Sequence, residues 1–197
     1  MNKRMVMPLI IVLLLAAFLP AIASQPTAEP AFTAAPTATS VPFTFETGAS
    51  FGMTREEVIA ADPSPAPYEH SEGLFAYDRS VYGQPATVVY YFEGGQLYQM
   101  IAIMQTPYAT PGDIMPAFDA LDAKLVEKFG AAIRQKYPVW TEGTSPQAGD
   151  SAWGSAIADG SLTVTSTWQY GNIAISQILT NSTASAQVLH SILFTVK

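Results

Sequence analysis

The chain has 197 residues, no cysteine, and a formal charge of −7 from 9 basic and 16 acidic side chains. That surplus of negative charge argues against nucleic acid or an anionic membrane surface as partner. The lack of cysteine excludes disulfides, thiol chemistry and a lipid-bearing cysteine.

Residues 1–23 read as an export signal. Asn2-Lys3-Arg4 is a basic n-region, Leu9 to Ile22 is apolar apart from Pro20, and Ala21-Ile22-Ala23 is a small-x-small cleavage triplet. Cleavage is expected between Ala23 and Ser24. The alternative is an uncleaved anchor, for which the apolar run is short. Cleavage would remove Lys3 and Arg4 and leave a formal charge of −9. The expected location is secreted or extracytoplasmic, in a bacterium, with no membrane contact after processing. Residues 24–42 are almost wholly Pro, Thr, Ala and Ser. Such a segment buries too little apolar surface to offset its ordering entropy, so it is expected to be a disordered, semi-extended linker. The remainder, residues 43–197, is enough for a single domain with a real core.

The first strong element is Phe51-Gly52-Met53-Thr54-Arg55-Glu56-Glu57-Val58. Thr54 and Glu57 have capping-box spacing, and Met53 and Val58 have the spacing of a hydrophobic staple. The helix they open is stopped by Pro63 after about two turns, so it needs a surface to lie on. Pro63 to Pro67 must be loop. Leu74–Tyr82, Ala86–Phe92 and Leu97–Gln105 predict three strands of an antiparallel meander, the last two joined at Glu93-Gly94-Gly95-Gln96. Thr106–Gly112 reads as loop. Asp113 or Thr110 caps a second helix, whose apolar stripe is Ile114, Phe118, Leu121, Leu125 and Phe129. Gly130 is placed to end it.

The second half reads as β again. Val139-Trp140-Thr141 is a short strand and Glu142–Ser151 a loop. Ala152–Ala158 and Ser161–Trp168 flank Asp159-Gly160 as a hairpin. Gly171-Asn172 turns into Ile173–Leu179, Asn181–Ala186 is a polar loop, and Val188–Val196 is the last strand. The expected fold class is α+β: two helices on a twisted antiparallel sheet, order α-βββ-α-β(β)βββ. The two halves look alike in element order.

Phe-Gly-Met-Thr-x-x-Glu-Val before a short helix, then a hairpin carrying Phe92-Glu93-Gly94-Gly95-Gln96-Leu97, resembles two exported families. One is the β-lactamase-inhibitor-protein family, whose modules run helix then four-stranded sheet. The other is the small outer-membrane-assembly lipoproteins of the same architecture. Uncharacterised secreted bacterial proteins look similar as well. The resemblance spans residues 51–105. It implies an architecture and an exported, binding-type role, and it transfers no functional residue. The inhibitor modules carry disulfides and the lipoproteins a lipid-bearing cysteine, and this chain has neither.

The candidate chemistry is sparse. Gly149-Asp150-Ser151 has the look of a hydrolase nucleophile triplet, but His70 and His190 are the only histidines and Ser151 reads as loop. Glu69-His70-Ser71-Glu72 offers a metal or acid–base pair on paper and reads better as solvated loop. His190 reads as a half-buried strand histidine bonded to a neighbour. Asp119, Asp122 and Glu127 read as the wet face of the second helix. Asn181-Ser182-Thr183 is a glycosylation sequon, of consequence only in a eukaryotic secretory pathway. No catalytic residue, cofactor site or metal site is expected. Strand 86–92 is apolar on both faces, with Val88, Tyr90 and Phe92 one way and Thr87, Val89 and Tyr91 the other. Either both faces are covered, or Tyr91, Val89 and Thr87 mark a protein-binding face. The expected role is a non-enzymatic protein-binding or inhibitory module. The alternative is a structural envelope protein on a wall-spanning tether, and a small secreted hydrolase ranks last.

Overall fold

A computed structural model describes residues 43–61, 68–71, 74–144, 149–182 and 187–197, all within the unit Pro42–Lys197. For residues 68–71, 150 and 151 the description is of the backbone. The expected export signal, the Ala23–Ser24 cleavage point, the 24–42 linker and Pro63–Pro67 lie outside the described residues.

The capping box at the start of α1 (Arg55–Ala61) forms as its chemistry dictates. The Glu57 N–H donates to Thr54 Oγ1 at 3.3 Å, and the Thr54 N–H donates to Glu57 Oε2 at 2.8 Å. The preceding residues are stitched to the sheet. Gly52 N–H donates to the Leu97 carbonyl at 2.9 Å, and Leu97 N–H donates back to the Met53 carbonyl at 2.8 Å. Val58 then falls into the core with no exposure.

Eight strands follow: β1 (Tyr68–Ser71), β2 (Leu74–Val81), β3 (Gln84–Glu93), β4 (Gln96–Met104), β5 (Arg134–Trp140), β6 (Leu162–Tyr170), β7 (Ile173–Ser182) and β8 (Gln187–Val196). They form one sheet in the order β1-β2-β3-β4-β8-β7-β6-β5. Every neighbouring pair is antiparallel. The sheet is therefore two four-stranded meanders whose last strands, β4 and β8, pair with each other. The expected meander of residues 74–105 is present, and Gly94 and Gly95 turn it at φ +58° and +79°, as a type I′ turn requires.

A 3-10 turn at Pro111–Asp113 leads into α2 (Ile114–Phe129), and Gly130 ends that helix at φ +81° with its N–H on the Val126 carbonyl at 2.8 Å. Two expectations fail here. Asp122 is not on a wet face: it is 3% exposed and accepts a hydrogen bond from Gln135 Nε2 at 2.7 Å. Residues 152–158 are not a strand. They belong to a third helix, α3 (Asp150–Ala158), and Asp159-Gly160 is its end rather than a hairpin turn. The Asp159 N–H bonds the Ser155 carbonyl at 3.0 Å and the Gly160 N–H bonds the Ile157 carbonyl at 3.1 Å. The Asp-Gly pair that suggested a hairpin turn instead closes a helix: Ile157 and Ala156 are buried one turn beyond Trp153, at helical spacing. The helix count is three among the described residues, and residues 68–71 are strand where loop was expected.

All three helices pack on the same face. One core cluster joins Val58, Leu121 and Leu125 to Phe75, Tyr90, Met100, Phe194 and Trp168 of the sheet. A second joins Ile114, Phe118 and Ile157 to Leu162, Val164 and Leu179. Phe43 and Phe45 seal one end, their rings 4.8 Å apart, with Phe45 edge-on to Phe194 at 5.3 Å.

Candidate interaction surface

Because side chains alternate along a strand, the pairing register determines what the other face carries. One row across it runs Asp78–Thr87–Ile103–Ser191–Ile178–Thr165–Tyr137. The adjacent row runs Ala76–Val89–Ile101–Leu193–Ser176–Thr167–Arg134. None of these residues belongs to either helix-backed core cluster. The strands β4, β6, β7 and β8 contain no Asp, Glu, Lys or Arg, and β3 contains only Glu93 at its end. The face is thus uncharged between Asp78 at one side and Arg134 at the other. It mixes aliphatic side chains with columns of hydroxyls, of which Thr163 and Thr180 bond each other at 2.7 Å.

Exposure along this face is uneven. Val89 and Ile101 are buried, at 1% and 3%. Thr87 and Tyr91 are half-buried, and burial pushes the Tyr91 phenol up to about 12, with the neighbouring Tyr98 adding to it. At the far side, Tyr137 and Val139 of β5 are 47% and 49% exposed, and Ile133 just before them is 70% exposed. The Arg134 guanidinium lies 4.7 Å from the Tyr137 ring centre. So the sequence-derived trio lies on this face, but its most accessible apolar side chains are on β5. The expected strand Val139–Thr141 covers only the end of β5, because Pro138 and the charges of Arg134 and Lys136 hide its first half, Tyr137 included.

The outer edge of β5 is poorly suited to receive another strand. Pro138 has no N–H, and Lys136 sits at φ +49° in a register shift between Arg134 and Tyr137. The Lys136 N–H is used on Ser166 Oγ at 3.0 Å. These are the features by which natural edge strands avoid pairing with other chains.

The remaining candidates separate cleanly. Ser151 lies in the first turn of α3 rather than in a loop, and His70 lies on β1. Glu72 and Thr183 are outside the described residues. Both ring nitrogens of His190 are engaged: Nδ1 lies 3.0 Å from the Tyr108 hydroxyl and Nε2 2.9 Å from Gln177 Nε2. At 2% exposure His190 is buried rather than half-buried, and burial holds its pKa down at about 4. Asp119 pairs with Lys136 at 2.7 Å. Asn181 Nδ2 donates to the Ala158 carbonyl at 2.5 Å, so the sequon amide is already bonded within the fold. Among the described residues no group of three or more His, Cys, Asp or Glu side chains is placed to hold a metal. A shallow depression of about 540 Å³ is lined by Glu46, Tyr82, Gly83, Lys124, Glu127 and Lys128. Its groups serve the backbone: Glu46 accepts the Tyr82 N–H at 2.8 Å, and Lys124 donates to the Tyr82 carbonyl. Comparison with protein-family models, curated proteins and solved structures finds no match to this chain.

Proposed function

We propose that this chain is an exported, non-enzymatic protein-binding module that docks its partner on the face of the sheet turned away from α1, α2 and α3. The observation that carries the reading is the exposure of Tyr137 and Val139 on β5, in register with Thr165 and Thr163 of the uncharged face. Interface centres are depleted in charge and enriched in aromatics, and this face is uncharged between Asp78 and Arg134 with Tyr137 as an accessible aromatic. Three further features support it. The order of α1 and four strands is the one implied by the resemblance of residues 51–105 to inhibitor-type modules. The two meanders read as degenerate copies of one α–β unit, the second enlarged by α3. The edge of β5 is blunted, so docking proceeds through side chains rather than by strand addition.

The occupant is a protein presenting an apolar patch ringed by Lys and Arg. The domain without its export signal carries a formal charge of −9, which steers such a partner and repels an acidic one. The test is affinity capture from culture medium with the purified chain, identification of the bound protein, and calorimetric titration with wild type and Tyr137→Asp/Val139→Ser. The expected result is a basic partner whose affinity falls at least a hundredfold with the variant and weakens with salt. Equal binding by the variant, or failure to capture a partner, overturns the proposal.

A further inference from the structure

Beneath the first half of α2 lies a polar tie inside an otherwise apolar layer. Gln177 of β7 has no exposure, and its Nε2 faces two groups at once. It donates to the Phe118 carbonyl of α2 at 2.9 Å and lies 2.9 Å from His190 Nε2 of β8. An amide NH₂ has two protons and no lone pair to accept with, so His190 Nε2 must be the acceptor. The proton of the neutral ring is therefore on Nδ1, which donates to the Tyr108 hydroxyl at 3.0 Å. The Phe118 ring closes the site by stacking on the imidazole at 5.8 Å.

We propose that this tie is an acid-released latch that holds the 105–110 loop and the start of α2 against the sheet. A second proton on His190 places an N–H against the NH₂ of Gln177. Rotating the amide does not resolve the conflict. It turns the Gln177 carbonyl toward the imidazolium but also toward the Phe118 carbonyl, so two acceptors then meet. No orientation of Gln177 serves both neighbours, and α2 must part from β7. Among the described residues no carboxylate contributes to the His190 shift, which burial alone sets. Tyr108 is the titratable group on the loop, and burial pushes it up to about 12, so it stays neutral. On α2, Asp119 is tied to Lys136 of β5 and Asp122 to Gln135. The strands β6 and β7 carry no ionisable residue besides Tyr170 at the end of β6, β8 only His190, and α3 only Asp150 at its first position.

Burial holds the folded-state pKa below the unfolded value, so the folded state binds fewer protons between the two. The latch is closed above about pH 6.5, weakens about tenfold per pH unit as pH falls toward about 4, and levels off below. The test is nuclear magnetic resonance on the purified chain, with His70→Asn distinguishing the two histidines. The expected results are an Nδ1–H tautomer at pH 7 and titration near pH 4. Exchange of the Asp122 amide, corrected for intrinsic rate, should rise about tenfold per unit from pH 6.5 to 4. His190→Gln should flatten that rise. An Nε2–H tautomer, titration near 6.5, or an unchanged slope in His190→Gln overturns the latch. The ring measurements do not use His190→Gln, so they decide even if that variant does not fold.

Discussion

Gly154 tests the packing of α3 most sharply. A Cβ built there would lie 2.0 Å from the Pro111 carbonyl oxygen, 3.0 Å from its carbon and 3.8 Å from Ile114 Cβ. An sp³ carbon approaches an oxygen no closer than about 3.2 Å, so Gly154→Ala must open the α3–Pro111 contact by roughly 1.2 Å, in the range where overpacking costs about 1–3 kcal/mol. Neither side can give cheaply, because Pro111 is backbone at the entrance to α2 and Ile157 and Ile114 are both buried behind it. Against this stands the helix-propensity gain of alanine, about 1 kcal/mol. With α3 fixed in place the steric cost exceeds that gain, giving a net loss of up to about 2 kcal/mol and a fall in Tm of about 4–8 °C. Urea unfolding followed by tryptophan emission measures it directly, since Trp153 is the adjacent residue. Gly112→Ala is the control: its Cβ would meet only Thr110 Oγ1, at 3.5 Å, and stability should barely change. A Gly154→Ala protein as stable as wild type, or more so, would refute the close approach and with it the placement of α3.

Two smaller perturbations probe the ends of the other helices. Thr54→Ala removes the acceptor for the Glu57 N–H and should cost about 1 kcal/mol in urea unfolding, whereas Thr54→Ser should restore most of it. Equal stabilities for the alanine and serine variants would discount the cap. Trp168 is 2% exposed and donates from Nε1 to the Gly130 carbonyl at 3.1 Å, so it ties the end of α2 to β6. Trp168→Phe should lose about 2 kcal/mol from the missing bond and the smaller ring, seen as a lower urea midpoint at unchanged slope.

The first half of the fold was legible because its signals are local. A capping box, a Gly-Gly turn and runs of β-branched and aromatic residues each act within a few residues, and the structure follows them over residues 54–61 and 74–104. The second half depends on contacts the sequence does not display. Asp159-Gly160 suits a hairpin turn and a helix end equally, and α3 needs the room that Gly154 leaves for the Pro111 carbonyl. Asp122 looked solvated because the short strand expected at Val139–Thr141 does not reach back to Gln135, which β5 brings over it. Phe43 and Phe45, which close one end of the core, follow a Pro/Thr stretch and carry no periodic pattern. The pairing of β4 with β8 joins segments about ninety residues apart, and no local rule selects it. The candidate surface was half legible. Alternation along β3 puts Thr87, Val89 and Tyr91 together on the face turned away from α1, α2 and α3, but exposure depends on neighbours, and Val89 is buried there.

The layering also constrains how the proposed docking surface would work. Charge is absent from β4, β6, β7 and β8 and sits on the helices, turns and outer strands, so the centre of the face turned away from α1, α2 and α3 offers no ion pair to a partner. Affinity there must come from desolvating apolar groups, about 25 cal/mol for each Å² buried, and from hydroxyls that can bond in either sense. The acidic surplus elsewhere acts at longer range, on the encounter rate rather than on the bound complex. The two contributions are separable. Salt should slow association of a basic partner while leaving its dissociation nearly unchanged, and Tyr137→Asp/Val139→Ser should do the reverse. A complex held together by ion pairs would instead lose its dissociation barrier in salt, and the uncharged rows from Thr87 to Thr165 argue against that behaviour.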